Sequence, residues 1–143
     1  MHEYDGRTDL WKAAIKRKAD AHRLFESGRP HYTGAMYLAG YAIECRMKAI
    51  MMDAYRVLTL KELTSRMKLQ DKDIFTHGLE GLVEVAPFGE SMRHSPVWRD
   101  FVEQVILWKP SWRYDPRERT EVEARLFLNA VDRVYLWLDT NRR

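Results

Sequence analysis

Apolar positions recur with a helical period along most of the chain, most clearly in residues 35–50. At 100° per residue, this stretch spreads apolar side chains over most of the circumference of a helix, which is typical of a central, buried helix. The same stretch carries Glu44, Arg46 and Lys48. Because burying an unpaired carboxylate is costly, Glu44 is expected either to be paired or to take part in chemistry.

Glycine, proline and capping residues mark the expected helix boundaries. A first helix starts near Thr8 and ends at Gly28, and Pro30 opens the central helix, which runs to about Tyr55. Residues 57–76 predict only one or two short helical turns. The side chain of Thr76 is placed to cap a short helix, and the apolar residues of that helix are expected to point inward: Leu79, Leu82 and Val83.

Two later helices are predicted in the same way. Ser95 is expected to cap one helix, which Pro110 ends. Asp115 and Glu118 have the spacing of a capping box and open the last helix. The buried stripe of that helix is expected to be Ala124, Phe127, Val131, Val134 and Leu138. Because no segment alternates with period two, the sequence predicts an all-α fold, an antiparallel up-and-down bundle of four or five helices.

Length and composition refine this prediction. The 143 residues suit a single domain over 1–143, with residues 1–7 expected to be frayed. A net charge of +3 is too small to indicate nucleic-acid binding by itself. The single cysteine, Cys45, is expected in the core and suits a reducing compartment. The polar N-terminus and the short apolar runs predict neither a signal peptide nor a membrane span, so we expect a cytoplasmic protein.

Three blocks of sequence resemble the HEPN domain family. Residues 37–49 are similar to the family's central helix, written gYaiEc.lKal. Residues 77–82 resemble its H-D-L-x-x-L segment, with Gly78 where aspartate is usual. Residues 108–116 resemble its R-Y-P-D-like loop before the last helix, with the last two residues in the opposite order. The likeness covers roughly residues 10–140.

The resemblance implies a small helical bundle that forms a homodimer and works in an RNA or nucleotide context. Many HEPN proteins are metal-independent endoribonucleases of toxin–antitoxin or defence systems, and others are non-catalytic modules paired with a small nucleotidyltransferase. The catalytic members carry an Arg-x4–6-His motif near the last helices, whereas no histidine follows Arg113 here. The one spacing match joins Arg17 to His22, whose side chains point about 140° apart on a regular helix.

Seven residues are candidates for a site. The candidate catalytic pair is His77, as general acid or base, and Arg113, which would bind a phosphate. Six residues are candidates for binding a ligand or its phosphate: Tyr41, Glu44, Arg46, Lys48, Arg113 and Tyr114. No metal-spaced Cys/His cluster and no Gly-rich phosphate loop are present in the sequence, so we expect neither a metal nor a cofactor.

Each candidate also has a structural interpretation. Glu44 and Lys48 have the spacing of an (i, i+4) ion pair, although beside Tyr37 and Tyr41 they could line a groove that Arg113 and Tyr114 complete. Arg46 and Asp53 suit a solvated or interface face. His77 could simply order the loop before the following helix. Asp115 could cap the last helix and hold Arg113 in a salt bridge.

The leading hypothesis is a dimeric HEPN-like binding or regulatory module in an RNA or nucleotide context that lacks ribonuclease activity, with a small nucleotidyltransferase as the partner that the resemblance implies. The alternative is a metal-independent endoribonuclease toxin with a non-standard active site. A third hypothesis is a structural partner that dimerises through its apolar helices.

Overall fold

The computed structural model describes residues 5–69 and 78–141. Over these residues the chain is all-helical, with no strand and a single isolated bridge between Gly6 and Thr59. The seven α-helices are α1 (Arg7–Ser27), α2 (Tyr32–Ala54), α3 (Leu60–Leu69), α4 (Gly78–Val85), α5 (Gly89–Arg93), α6 (Trp98–Glu103) and α7 (Glu121–Thr140). Two 3-10 helices, η1 (Val105–Leu107) and η2 (Pro110–Tyr114), precede α7. None of the helices in the described ranges is long and apolar enough to cross a membrane.

The first two helices form an antiparallel pair joined by a short turn at Gly28, whose φ of 73° suits glycine. Three contacts along the pair show the antiparallel direction: Arg7–Asp53, Trp11–Arg46 and Phe25–Tyr32. Residue numbers therefore fall on one helix as they rise on the other. The predicted end of the first helix at Gly28 is confirmed, while α2 begins at Tyr32, two residues after Pro30.

The last helix runs parallel to α2, because the numbers of contacting residues rise together. Thr33 accepts a hydrogen bond from the backbone N–H of Arg119, and Arg46 lies beside Tyr135 further along both helices. Residues 88–112 run in the opposite direction along α7. Their contacts, in chain order, are Phe88–Trp137, Asp100–Arg133 and Trp112–Phe127. Several short helices therefore occupy this side of α7, so the described ranges hold seven α-helices rather than the expected four or five.

The core lies around α2, as its apolar pattern predicts. Fifteen of its residues are buried, among them two charged residues, Arg46 and Lys48. Gly40 allows the indole of Trp108 to lie directly against the α2 backbone, since a Cβ at this position would overlap the ring. The Trp108 indole N–H donates to the backbone oxygen of Tyr37 at 3.0 Å. The predicted buried stripe of α7 is also confirmed: Ala124, Phe127, Val131, Val134 and Leu138.

Two of the predicted helix starts are wrong. The Ser95 hydroxyl donates to the Met92 backbone oxygen at 2.7 Å, so it closes the turn after α5, and α6 begins at Trp98. The capping box of the last helix is formed by Thr120 and Glu123, each side chain bonding the backbone N–H of the other. The carboxylate of Asp115 instead accepts the backbone N–H of the residue two positions on.

Two further boundaries differ from the prediction. The α6 helix ends at Glu103, before Pro110, which opens η2 instead of ending a helix. Asp5 and Arg7, expected to be frayed, exchange backbone hydrogen bonds with residues 58–60, which tie this part of the N-terminus to the start of α3. Thr76, the predicted cap of α4, lies outside the described residues, but the three apolar residues predicted to point inward from α4 are buried.

We expect Gly40→Ala to lower the free energy of unfolding by about 1–3 kcal/mol, because the new methyl group displaces the Trp108 indole. Gly34→Ala on the same helix is the matched control. Its Cβ would lie 3.5 Å from Leu24, an ordinary contact, so its effect should stay within about 1 kcal/mol. Chemical denaturation of both variants checks this. Equal stability of the two variants would contradict the close approach of Trp108.

Candidate functional site

Arg46 lies at the junction of α1, α2 and α7 and is 1 % exposed. Its guanidinium carbon is 3.7 Å from the centre of the Trp11 ring and 4.6 Å from that of the Tyr135 ring. Nη2 donates to the Tyr135 hydroxyl, and Nε lies 3.5 Å from Oδ1 of Asp139. The predicted solvated face with Asp53 is therefore wrong, because Arg46 points towards α7, whereas Asp53 lies near Arg7.

The polar atoms of this arginine are only partly satisfied. Nε and Nη1 are both buried, and neither has a hydrogen-bond partner among the residues that the structure describes. The distance from Nε to Asp139 is that of an ion pair but not of a hydrogen bond in good geometry. A buried guanidinium normally uses its N–H groups fully, so two open N–H groups are a feature to be explained.

A cavity of about 460 Å³ opens beside Arg46 and is called the Arg46 cavity below. This volume is within the range of small-molecule sites. Side chains from α1, α2 and α7 line it: Trp11, Ile15, Lys18, Ala19, His22, Arg46, Tyr135 and Asp139. It combines aromatic and aliphatic walls with a few polar groups, which is the usual composition of a binding site.

The end of the cavity away from Trp11 carries two further basic side chains. His22 Nε2 lies 2.9 Å from Oδ1 of Asp132, and Lys18 Nζ lies 3.6 Å from the same oxygen. Lys18 Nζ also lies 5.1 Å from the centre of the Tyr135 ring. All three side chains around this oxygen are about one-third exposed, so they can reach a ligand from the solvent side. The hydrogen bond to Asp132 fixes the plane of the imidazole.

Tyr135 stands between the two groups of charges. Burial raises the pKa of its hydroxyl, and the hydrogen bond from Arg46 acts in the opposite direction. The phenol oxygen thus accepts a hydrogen bond from the Arg46 guanidinium. Lys18 and His22 offer donors to a ligand from the solvent side, while the Arg46 guanidinium is paired with Asp139 at the Trp11 end. The described residues contain no group of histidine, cysteine and carboxylate side chains that could hold a metal ion.

Comparisons of this chain with protein-family models, with curated proteins and with solved structures found no match. The resemblance to the HEPN family therefore remains a prediction. The site has to be assigned from its own geometry and charges.

The predicted site residues do not form one cluster. Of the predicted site residues that the structure describes, only Arg46 lines the Arg46 cavity. Glu44 and Lys48 form the predicted ion pair at 3.3 Å, and Lys48 is buried there. Tyr41 stacks on Tyr37 with ring centres 6.2 Å apart, on the same sector of α2 as this pair. A negative charge at the neighbouring Cys45 and burial both raise the pKa of Tyr41, to about 12.

The other predicted residues lie elsewhere. Arg113 and Tyr114 are exposed in η2, where the guanidinium carbon lies 4.9 Å from the centre of the Tyr114 ring. The last helix starts only at Glu121, so Arg113 does not lie at its N-terminus, contrary to the prediction. Asp115 binds Arg117 at 2.8 Å and Arg119 at 3.3 Å instead of Arg113.

Those two guanidiniums hold the pKa of Asp115 well below its usual range, with the Arg117 hydrogen bonds as the largest cause. Trp108 lies against Tyr37, with ring centres 6.1 Å apart, at the place where the sequence predicts Arg113 and Tyr114. His77 falls outside the described residues, so its role stays a prediction. The side chain of Arg17 pairs with Asp20, whereas that of His22 bonds Asp132 of α7. The two side chains therefore point apart, as predicted for the Arg17–His22 spacing.

Sequence reasoning missed Lys18, His22, Asp132 and Asp139. A signal was present on each helix. Trp11, Ile15, Lys18 and His22 follow each other at helical spacing, as do the three α7 residues of the site, Asp132, Tyr135 and Asp139. The sequence contains no sign that these two stripes face each other across Arg46.

Cys45 is buried, and desolvation raises the pKa of its thiol to about 11. The thiol of an unfolded cysteine has a pKa of about 8.5, so the folded chain holds the thiol proton of Cys45 more tightly than the unfolded chain does. The stabilisation is fully present below the unfolded pKa and is lost as pH rises towards the folded value. We therefore expect the free energy of unfolding to fall above about pH 8.5, and to fall less steeply in Cys45→Ala.

Chemical denaturation at a series of pH values measures this slope. The comparison uses the change with pH rather than the absolute stability, because Cys45→Ala also removes packing. Identical slopes in the two proteins would contradict a buried, protonated thiol.

Proposed function

We propose that this chain is a HEPN-like binding or regulatory module that holds a phosphate-bearing nucleotide in the Arg46 cavity and does not cleave RNA. One observation carries the ligand part of the proposal. A buried arginine keeps two N–H groups without a hydrogen-bond partner among the described residues, and it lines an open cavity of ligand size. Leaving such groups unsatisfied is costly, and a bound polar ligand removes the cost.

Two basic side chains on the solvent side of the cavity are the groups that a phosphate would contact. Lys18 and His22 lie on α1 one helical turn apart, so both can face the same anion. Hydrogen bonds from charged donors to phosphate are about twice as strong as neutral ones. The carboxylate of Asp132 holds both side chains in place, and a phosphate would take over part of its role.

The helix arrangement supports the HEPN-like part of the proposal. In chain order, α1 and α2 are antiparallel, residues 88–112 are antiparallel to α7, and α2 and α7 are parallel. This order suits an up-and-down bundle in which short helices replace one long helix. The resemblance of residues 37–49 to the family's central helix agrees with the position of α2 in the core.

Binding is favoured over cleavage for a geometric reason. The catalytic members of the family that this chain resembles cleave RNA with an arginine and a histidine that act together on the phosphate and the ribose. Neither candidate arginine here is placed in that way beside a histidine that the structure describes. Arg113 lies against the exposed Tyr114, and Arg17 diverges from His22. In the context that the resemblance implies, the module works beside a small nucleotidyltransferase of a toxin–antitoxin or defence system.

Isothermal titration calorimetry with ribonucleoside 5′-monophosphates tests the binding. We expect at least one of them to bind, and Lys18→Gln to weaken it by about tenfold, the value of one charge-assisted hydrogen bond. Lys16→Gln removes the same charge from an exposed position on α1 and should leave the affinity unchanged. Absence of binding, or equal losses in the two variants, would overturn the proposal. So would cleavage of RNA by the purified protein in the presence of EDTA.

We also propose that the chain forms a homodimer, as the resemblance implies. The face of α7 turned away from the core carries three exposed apolar side chains: Val122, Leu126 and Leu136. Leu107 of η1 is also exposed. Covering these side chains with a second copy would remove apolar surface from water.

Light scattering is expected to give the mass of two chains for the wild type and of one chain for Leu126→Glu. Leu58→Glu is the control, because Leu58 is exposed but lies outside α7. A wild-type monomer at micromolar concentration, or an unchanged dimer in Leu126→Glu, argues against this interface.

A further inference from the structure

We infer that the nucleotide held at the Arg46 cavity carries at least two phosphates, and that its second phosphate lies on the outer surface of α1 between Lys16 and Arg23. The inference rests on the proposed nucleotide binding and adds the class of ligand, a nucleoside 5′-diphosphate or a longer phosphate chain. Its basis is the distribution of paired and unpaired charges on α1.

The α1 helix carries the whole net charge of the protein. Its six basic and three acidic residues give it a formal net charge of +3, which equals that of the full chain. Three of the six basic side chains form ion pairs: Arg7, Arg17 and Lys18. The other three are exposed and form no ion pair with any residue that the structure describes: Lys12, Lys16 and Arg23. This helix therefore attracts anions.

Two of these unpaired basic residues border Ala19, which is exposed and lines the Arg46 cavity. Lys16 precedes Ala19 by three residues and Arg23 follows it by four, and residues at these spacings are neighbours on a helix surface, with Cβ atoms about 5–6 Å apart. The small alanine side chain leaves room above it, so the long side chains of Lys16 and Arg23 can both reach an anion there. These three residues are called the Ala19 patch below.

No carboxylate in the described part of the chain pairs with the Ala19 patch. Asp20 is next in sequence, but it lies 3.1 Å from Arg17 and pairs with it. Glu26 lies one turn beyond Arg23 and forms no ion pair with it. At the cavity, by contrast, Asp132 pairs with both basic side chains and offsets positive charge. The patch is therefore the better place for the additional negative charge of a second phosphate.

The Ala19 patch adjoins the phosphate position of the proposed function. Lys18 is the immediate neighbour of Ala19, His22 follows Ala19 by three residues, and both line the cavity. A phosphate bound by these two side chains lies within one helical turn of Ala19, so a second phosphate joined to it through one oxygen can lie over the patch. Arginine suits this position, because its planar group donates two parallel hydrogen bonds to a phosphate.

A monophosphate reaches only the first of these two positions. For this reason Lys16→Gln can serve as the control for monophosphate binding and still affect the binding of a diphosphate. The ratio of the two affinities, rather than either affinity alone, is therefore the quantity that reports on the Ala19 patch.

Titration of the wild-type protein with each ribonucleoside 5′-monophosphate and its 5′-diphosphate tests the inference without any substitution. EDTA is present to keep divalent cations off the phosphates. We expect the diphosphate to bind at least about tenfold more tightly, the value of one further charge-assisted hydrogen bond. Equal affinities would overturn the inference while the proposed nucleotide binding stands. Binding of none of these nucleotides would overturn both.

Arg23→Gln tests the second phosphate position. We expect it to lower the ratio of diphosphate to monophosphate affinity by about tenfold, because a charged donor to the second phosphate is lost. Lys16→Gln should act in the same direction. Lys12→Gln removes a charge from an exposed position two turns from Ala19 and should keep the ratio. An equal fall of the ratio in Arg23→Gln and Lys12→Gln would mean that only the net charge of α1 attracts the diphosphate, and would overturn the assignment.

Lys18→Gln separates the two phosphate positions. Because Lys18 contacts the first phosphate of either ligand, we expect this variant to weaken both ligands by a similar factor and to keep the ratio. A ratio that falls in Lys18→Gln but not in Arg23→Gln would place the second phosphate in the cavity and overturn the inference. Circular dichroism shows whether each variant is folded, and the wild-type titrations decide the question if one is not.

A nucleoside 5′-diphosphate can be a free nucleotide or the 5′ end of an RNA. Titrations with a short unstructured RNA that carries a 5′-diphosphate, and with the same RNA carrying a 5′-hydroxyl, separate the two sources. If the diphosphate RNA binds more tightly than the free nucleotide and loses that advantage with a 5′-hydroxyl, the ligand is an RNA end. If the free nucleotide binds at least as tightly, it is the ligand. Equally tight binding of both RNAs would overturn the RNA end as the ligand.

Discussion

The burial of one guanidinium group constrains the rest of this structure. Arg46 lies in the middle of the most apolar helix, and a charge in that position needs polar or aromatic neighbours within reach. They come from two other helices: Trp11 from α1, and Tyr135 and Asp139 from α7. The three helices must therefore meet at this level of α2, with α1 antiparallel and α7 parallel to it.

The same requirement explains why a cavity lies here. Apolar side chains alone could close the junction of three helices, but a charged group that must be solvated or paired prevents this. The neighbours of Arg46 stack on its faces and one of them, Tyr135, accepts from Nη2, while Nε and Nη1 have no hydrogen-bond partner among the described residues. Lys18 and His22 continue the polar lining along α1, held by Asp132 of α7. The contacts that hold the junction together are thus also the contacts that shape the candidate site.

Helix ends show where local sequence signals are ambiguous. Asp115–Glu118 and Thr120–Glu123 have the same capping-box spacing, and only the second pair caps α7. The carboxylate of Asp115 is occupied by Arg117 and Arg119, which a reading of spacing does not reveal. Ser95 has the residue type of an N-cap, but its hydroxyl bonds the preceding turn because α5 ends just before it. Where a capping side chain has more than one possible hydrogen-bond partner, the tertiary structure decides which partner it bonds.

The sequence by itself determined the helical class, the burial of the central helix, the end of α1 at Gly28 and the inward stripe of α7. These features follow from periodicity and from the conformational freedom of glycine, which act over a few residues. It also determined the Glu44–Lys48 pair, because (i, i+4) neighbours meet on any helix. Only the tertiary structure decided that Arg46 turns inward to α7 and that Lys18 and His22 share its cavity. These contacts join residues more than twenty positions apart, and the packing of whole helices, rather than any local pattern, brings such residues together.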